Sequence, residues 1–319
     1  MSNHKILTID NLSLQEFDSD AELIPLLTPE DEEEMNNEEL PDSLPILPLR
    51  NMVLFPGVVI PITAGRDKSI KLINDANASG KNIGVVAQKN EEDEDPTKAD
   101  INTIGTVARI LRVLKMPDGN ITVILQGKKR FEIAEVVSEE PYITATVKEV
   151  PEKRPKKNDT EFNAIIDSLK ELAVKIIQES PNLPSEATFD IKNIESKSFL
   201  VNFVSSNMNL SVKEKQDLLK INNLKDRALE TLRFMNVELQ KLELKNDIQS
   251  KVRFDLDQQQ REYFLHQQMK TIQEELGGNT PEKEVTEMRE RGKQKKWSKE
   301  VGEIFNKECD RLNRLISEA

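Results

Sequence analysis

One cysteine, Cys309, and two histidines, His4 and His266, stand in 319 residues. A lone cysteine excludes an intrachain disulfide and points to a reducing compartment. With so few histidines it also excludes thiolate cages and multi-histidine zinc sites within one chain. Cys309 fits a small half-buried side chain, and His266 an interfacial structural residue. Aromatic residues make up only 4% of the sequence and apolar residues 37%, which disfavours one large core and predicts exposed helix or tail. No apolar run approaches the length of a membrane span. The start Met1-Ser2-Asn3-His4-Lys5 is not followed by the apolar core of a signal peptide, so the sequence predicts a cytoplasmic protein. None of the 11 glycines opens a Gly-x-x-x-x-Gly-Lys-[Ser/Thr] phosphate loop, and no Gly-x-Gly-x-x-Gly turn occurs. No serine stands in a glycine-rich elbow, or in a Ser-x-x-Lys setting with the partners such sites need. The sequence therefore offers no catalytic, cofactor-binding or metal-ligating residue.

The net charge of −12 is local. Residues 1–43 carry 13 acidic residues and one lysine, leaving 44 of each sign in residues 44–319. A neutral body makes nucleic acid a poor partner, since phosphate binding rests on a concentrated basic surface. The self-repelling run Glu30-Asp31-Glu32-Glu33-Glu34 predicts a disordered acidic arm over 1–43. The arm serves either as a solubilising tail or, around Leu23-Ile24-Pro25-Leu26-Leu27, as a partner-binding peptide.

From Leu44 to Val150 the composition turns to short β-branched runs at 46–49, 52–55, 58–62, 83–87, 104–115, 121–126, 131–137 and 142–150. Met116-Pro117-Asp118-Gly119-Asn120 supplies a hairpin turn between two of them. Ile70, Leu72, Ile73 and Ala76 follow helical spacing, predicting one helix among the strands. Glu91-Glu92-Asp93-Glu94-Asp95 belongs on an exposed loop, because five adjacent carboxylates are costly to bury. Residues 151–158, charged and bracketed by Pro151 and Pro155, read as a linker.

Beyond it the pattern is helical. Phe162, Ile165, Ile166, Leu169, Leu172, Ala173 and Ile176 form an apolar stripe, and Pro181 and Pro184 end that helix. Residues 185–276 contain neither glycine nor proline, the residues most costly inside a helix. Ser211 followed by Glu214 has the form of a capping box, closing a helical bundle over 159–223. From Leu224 no stop precedes Gly277-Gly278, and a helix over 224–276 would run about 80 Å at 1.5 Å per residue. Leu232, Met235, Leu239 and Leu242 form a short coiled-coil-like seam. Ile248, Val252, Leu256, Tyr263, Leu265, Met269, Ile272 and Leu276 then need stutters to share a face. Both a packing stripe and a surface touching moving polypeptide fit that pattern. Residues 277–319 predict a further helical segment. Arg289, Arg291, Lys293, Lys295 and Lys296 cluster beside Trp297, where a solvated helix face is favoured over a phosphate site.

Two segments carry a family resemblance. Leu44-Pro45-Ile46-Leu47-Pro48-Leu49-Arg50-Asn51-Met52-Val53-Leu54-Phe55-Pro56-Gly57 resembles the opening of the Lon protease amino-terminal domain. Gln260-Arg261-Glu262-Tyr263-Phe264-Leu265-His266-Gln267-Gln268-Met269-Lys270-Thr271-Ile272-Gln273-Glu274-Glu275-Leu276-Gly277 resembles the long-helix signature before its ATPase module. The resemblance covers Leu44 to the end. It implies an α+β chain: a PUA-like antiparallel β pseudo-barrel, a helical bundle and a long extended helix. In the full-length family these lead to an AAA+ module using ATP and Mg2+ and a Ser-Lys protease module, in a homohexamer. Those modules have no counterpart in this sequence, so their catalytic positions map onto nothing.

The expected role is recognition of unfolded or misfolded proteins and self-association for ATP-dependent proteolysis. Contacts with substrate are expected of Phe55, Pro56 and Val58 at a turn, and of Tyr263, Phe264 and Met269 on the rod. Helix packing or oligomer contacts are expected of Leu232, Met235, Leu239, Leu242, Leu265 and Ile272. For each of the substrate-contact candidates, ordinary packing is the favoured role. A non-enzymatic adaptor, with a Lon-like barrel binding one peptide and the rod making a dimer, is the alternative function.

Overall fold

The computed structural model describes residues 6–7, 24–25, 29–117, 119–156, 158–180, 187–275 and 281–317. It divides into two compact units, Met1–Lys245 and Asn246–Ala319.

The first unit opens with a short antiparallel pair, β1 (Ile6–Leu7) and β2 (Ile24–Pro25). The other residues of the apolar peptide 23–27 lie outside the described residues, as do Asp118, Pro181, Pro184, Gly277 and Gly278. Residues 29–43, expected within a disordered arm, instead fold: Pro29–Asn37 forms helix α1, and β3 (Ser43–Leu49) already begins at 43. Acidic self-repulsion is overcome there because Met35 packs on the core and acidic side chains meet cations.

Then follow β4 (Val59–Ala64), α2 (Asp67–Ser79), β5 (Ile83–Ala87), β6 (Ile104–Lys115), β7 (Ile121–Ser138) and β8 (Thr144–Glu149). The ladder runs β4-β7-β6-β5-β3-β8 and closes by a β7–β8 pairing. A ring of five strands results, with β4 as a flap on the first half of β7. The sheet is mostly antiparallel, as expected, with one parallel pair, β3 with β5. A parallel pair needs a crossover, and β4 and α2 supply it. Helix α2 buries Leu72, Ile73 and Ala76, the spacing read from the sequence.

Two expected strand runs, 121–126 and 131–137, are one strand. Gly127 between them does not break it but admits a neighbour: a Cβ there would lie 2.3 Å from the Phe55 carbonyl oxygen. Residues 52–55 are not a strand but a buried loop leading into that contact. The β6–β7 hairpin closes where expected, with Gly119 at φ 87° and its N–H donating to Met116 O at 3.1 Å.

The helical part comprises α3 (Thr160–Glu179), α4 (Ala187–Asn193), α5 (Lys197–Asn207), α6 (Val212–Lys220) and α7 (Leu224–Glu275). Asp159 caps α3 by accepting from the Phe162 N–H. Ser211 and Glu214 form the expected capping box on α6. One apolar cluster runs continuously from the sheet (Leu47, Phe55, Leu125) through Phe162, Leu169 and Leu200 to Met235 on α7. Sheet and helices therefore share a core, and in the expected linker Glu152 and Lys153 hydrogen-bond to the helical part.

Helix α7 begins in the first unit and continues into the second. There it is joined by α8 (Pro281–Lys293) and α9 (Lys299–Ser317), which bury Val285 and Cys309. Trp297 meets the Phe305 ring edge-on at 4.7 Å. Gly292 is required beneath it, because a Cβ would stand 2.5 Å from that ring. Within the basic cluster, Arg289 pairs with Asp310 and Arg291 with Glu287, as a solvated helix face would. Among the described residues no helix is long and apolar enough to cross a membrane.

Candidate functional site

The turn at 54–58 is held from several directions. Gly57, at φ 79°, provides the reversal. Its N–H donates to Gly127 O at 2.9 Å, and the Gly127 N–H donates to Val58 O at 2.9 Å. Thr106 Oγ1 donates to Leu54 O at 2.6 Å. Phe55 has no exposed surface and Val58 is 4% exposed. Both belong to the core, which corrects the expectation that they are surface contacts: the turn anchors the barrel. Pro56 is half-buried, and its carbonyl accepts from Asn202 Nδ2 at 3.2 Å.

From Asn202 a buried polar chain runs through the unit. Arg227, fully buried, donates from Nη1 to Asn202 Oδ1 at 2.6 Å and from Nη2 to Glu152 Oε1 at 2.8 Å. Glu152 Oε2 accepts from Ser198 Oγ at 2.9 Å and from Arg154 Nε at 3.1 Å. Arg130, also buried, donates from Nη1 to the carbonyls of Leu219 at 2.9 Å and Ile221 at 3.0 Å. The Lys153 N–H donates to Asn222 O at 2.9 Å and the Leu224 N–H to Lys153 O at 3.0 Å. The expected linker is thus stitched to the α6–α7 junction.

Burial drives the Arg130 guanidinium down to about 10, and Arg227 nearby pushes the same way, with Glu152 in partial opposition. Burial pushes the Glu152 carboxyl up, but Arg227, Arg154, Ser198 and Arg130 together outweigh it and hold it below the ordinary value. A buried ion pair gives little net stability, yet removing one partner strands the other charge. None of these four residues, Arg130, Glu152, Asn202 and Arg227, was singled out from the sequence. Arg227 had a readable signal: it lies on the helical face of Leu224, Ala228, Thr231 and Met235, all buried.

Beside this chain lies a cleft of about 60 Å3, room for a few waters, lined by Pro56, Gly57, Lys128, Lys129, Arg154 and Phe199. Helix α1 covers it. Glu32 accepts from both Arg154 and Ser196, and Glu38 Oε1 meets Lys128 Nζ at 2.6 Å. Lys129 Nζ donates to Glu38 O at 2.7 Å, and Met35 lies between the two glutamates. A second hollow of about 290 Å3 is bordered by Ile46, Pro48, Arg66, Lys68, Asp95 and Tyr142. Its cations are engaged locally: Lys68 pairs with Asp95 at 3.0 Å and Glu140 at 3.1 Å. Arg66 donates to Gln88 Oε1 at 2.9 Å and to Asp93 O at 3.0 Å. The acidic loop 91–95 is exposed apart from half-buried Asp93.

On α7 the expected residues separate into two groups. Met235 and Leu239 are buried and Leu232 and Leu242 half-buried, with Met235 in the core shared with the bundle. That seam is occupied by this chain's own side chains. Tyr263, Phe264, Leu265, Met269 and Ile272 are 50–64% exposed, as are Leu244, Ile248, Val252, Phe254 and Leu256 at 52–69%.

A model of the ATP-dependent protease La (LON) substrate-binding domain matches residues 43–237. The chain belongs to the Lon family. It is 80% identical over 315 residues to a Lon protease of Flavobacterium johnsoniae, covering 99% of this chain and 39% of that protein. It is 48% identical over 295 residues to a Lon protease of Cytophaga hutchinsonii, covering 92% of this chain and 36% of that protein. The chain therefore spans well under half the length of these Lon relatives. The solved amino-terminal domain of a Mycobacterium avium complex Lon protease superposes with a TM-score of 0.51 at 21% identity. It covers 61% of this chain and 98% of that one, which supports the fold. Lon family membership implies ATP and Mg2+ in the full-length protein. In this chain the sequence has no phosphate loop, and among the described residues no group of three or more His, Cys, Asp or Glu could hold a metal ion.

Proposed function

We propose that this chain is the substrate-engaging and assembly-forming part of a cytoplasmic Lon-type ATP-dependent protease. The folded body over 44–223 and the rod would receive unfolded or misfolded proteins, while ATP and Mg2+ act in modules outside this sequence. The observation that carries this reading is the set of ten large apolar side chains distributed around α7 between Leu244 and Ile272, each at least half exposed. An apolar surface of that extent on a helix rich in charge marks an interaction site. Tyr263, Phe264 and Met269 have the chemistry to meet exposed hydrophobic segments, and methionine adapts to varied partners. Leu265 and Ile272 also suit contacts between copies in a homohexamer.

The test is binding, without nucleotide, of one protein in its native and its permanently unfolded form. Preference for the unfolded form is expected. Equal binding of both would overturn the reading. A discrete dimer with saturable binding to one short peptide would favour the adaptor instead.

A further inference from the structure

We propose that the surface beneath α1, formed by Pro56, Lys128, Lys129, Arg154 and Phe199, is a receptor groove for acidic helical segments of client polypeptides, and that α1 covers it in cis. The proposal rests on the substrate-engaging reading and names a substrate class for it.

The groove's chemistry selects its occupant. With α1 in place Lys128 is only 8% exposed and pairs with Glu38, so an occupant that covers it has to bring a carboxylate. Arg154 keeps Glu152 as a partner on its inner side, at 3.1 Å, and offers its outer nitrogen to Glu32. Glu32 and Met35 are three apart on α1 and Glu38 follows just past its end, so a carboxylate, an apolar side chain and a second carboxylate come in succession along the segment. This is the pattern the surface reads: two cationic ends, Lys128 and Arg154, beside the buried Phe199.

The bound helix is also built to leave. It has nine residues, below the length at which an isolated helix holds itself in water. Its acidic first turn suits the helix dipole, but no basic residue stands in its last turn, and Glu30 repels Glu34 at i, i+4. Its order therefore comes from docking. As a tethered ligand it competes at an effective concentration in the millimolar range, so a free acidic segment gains access chiefly when α1 is displaced.

The experiment uses the full chain and a fluorescent peptide with the sequence of residues 28–40. Its anisotropy is followed with the intact chain and with a variant in which Glu32→Lys, Met35→Ser and Glu38→Lys eject α1. Binding to the variant at least about tenfold tighter than to the intact chain is expected, weakening as salt rises. A peptide carrying Lys at positions 32 and 38 should not bind, a control that leaves the protein's fold untouched. Equal affinity of intact chain and variant, or equal binding of the charge-reversed peptide, would overturn the proposal. A permanently unfolded, non-acidic protein is titrated in parallel. If it binds and the acidic peptide does not, the groove is wrong and the substrate-engaging reading stands. If neither binds, both fail.

Discussion

Arg227 donates to Asn202 Oδ1 at 2.6 Å, and Asn202 in turn holds the carbonyl of Pro56. A residue of the long helix thus fixes the barrel's turn through one intermediary, while its other nitrogen holds Glu152 in the segment between the sheet and the bundle. Replacing Arg227 by Met removes the buried partner of Glu152 Oε1 and leaves the carboxylate only Arg154 and Ser198 on its other oxygen. The expected loss is about 3–5 kcal/mol of unfolding free energy, read from urea denaturation. Arg227→Lys should recover little of it, since an ammonium cannot span both acceptors.

Glu152 also sets an acid limit. Its folded-state pKa is depressed, so its contribution to stability is complete above the unfolded-state value near 4.5 and is lost as pH falls through the lower folded value. Melting temperatures from pH 7 to pH 3 should fall less steeply below about pH 4.5 for Glu152→Gln than for the unaltered chain. Parallel slopes would show that Glu152 does not titrate differently in the two states.

Gly127→Ala puts a Cβ against the Phe55 carbonyl, a backbone atom that cannot swing aside. A loss of about 1–3 kcal/mol is expected. Gly302→Ala on α9 meets nothing within 4 Å and should be neutral or stabilising by up to about 1 kcal/mol. Both are measured by thermal unfolding.

Cys309 is 2% exposed between α8 and α9. A thiol-reactive dye should label it slowly in the native chain and promptly in denaturant. Prompt native labelling would mean that the α8–α9 pair opens readily.

Much of the fold was legible because its signals are local. The strand runs, the Gly119 turn, the α2 stripe and the Ser211–Glu214 cap each need only a few neighbouring residues. What escaped depends on distant contacts. Phe55, Pro56 and Val58 read as an apolar turn at the surface. Their burial depends on Gly127, about seventy residues on, whose missing side chain makes room for them. The acidic arm read as disordered because its charges were weighed without Lys128 and Arg154, which fold back to meet Glu38 and Glu32. Residues 151–158 read as a linker for the same reason, since nothing near Glu152 in sequence announces Arg227. On α7 the apolar spacing was legible, but which part faces its own bundle was not. Met235 and Tyr263 look alike in sequence and differ wholly in exposure.

The central claim is that exposed apolar segments of unfolded polypeptide meet the rod rather than the buried Phe55 and Val58 of the 54–58 turn. The measurement that tests it most directly is binding of a permanently unfolded protein to the full chain carrying Tyr263→Ser, Phe264→Ser and Met269→Ser. These side chains are exposed, so the variant should unfold within about 0.5 kcal/mol of the unaltered chain, yet bind at least about tenfold more weakly, some 1.4 kcal/mol. Unchanged affinity in a stably folded variant would contradict the account and send the search for the contact surface back to the barrel.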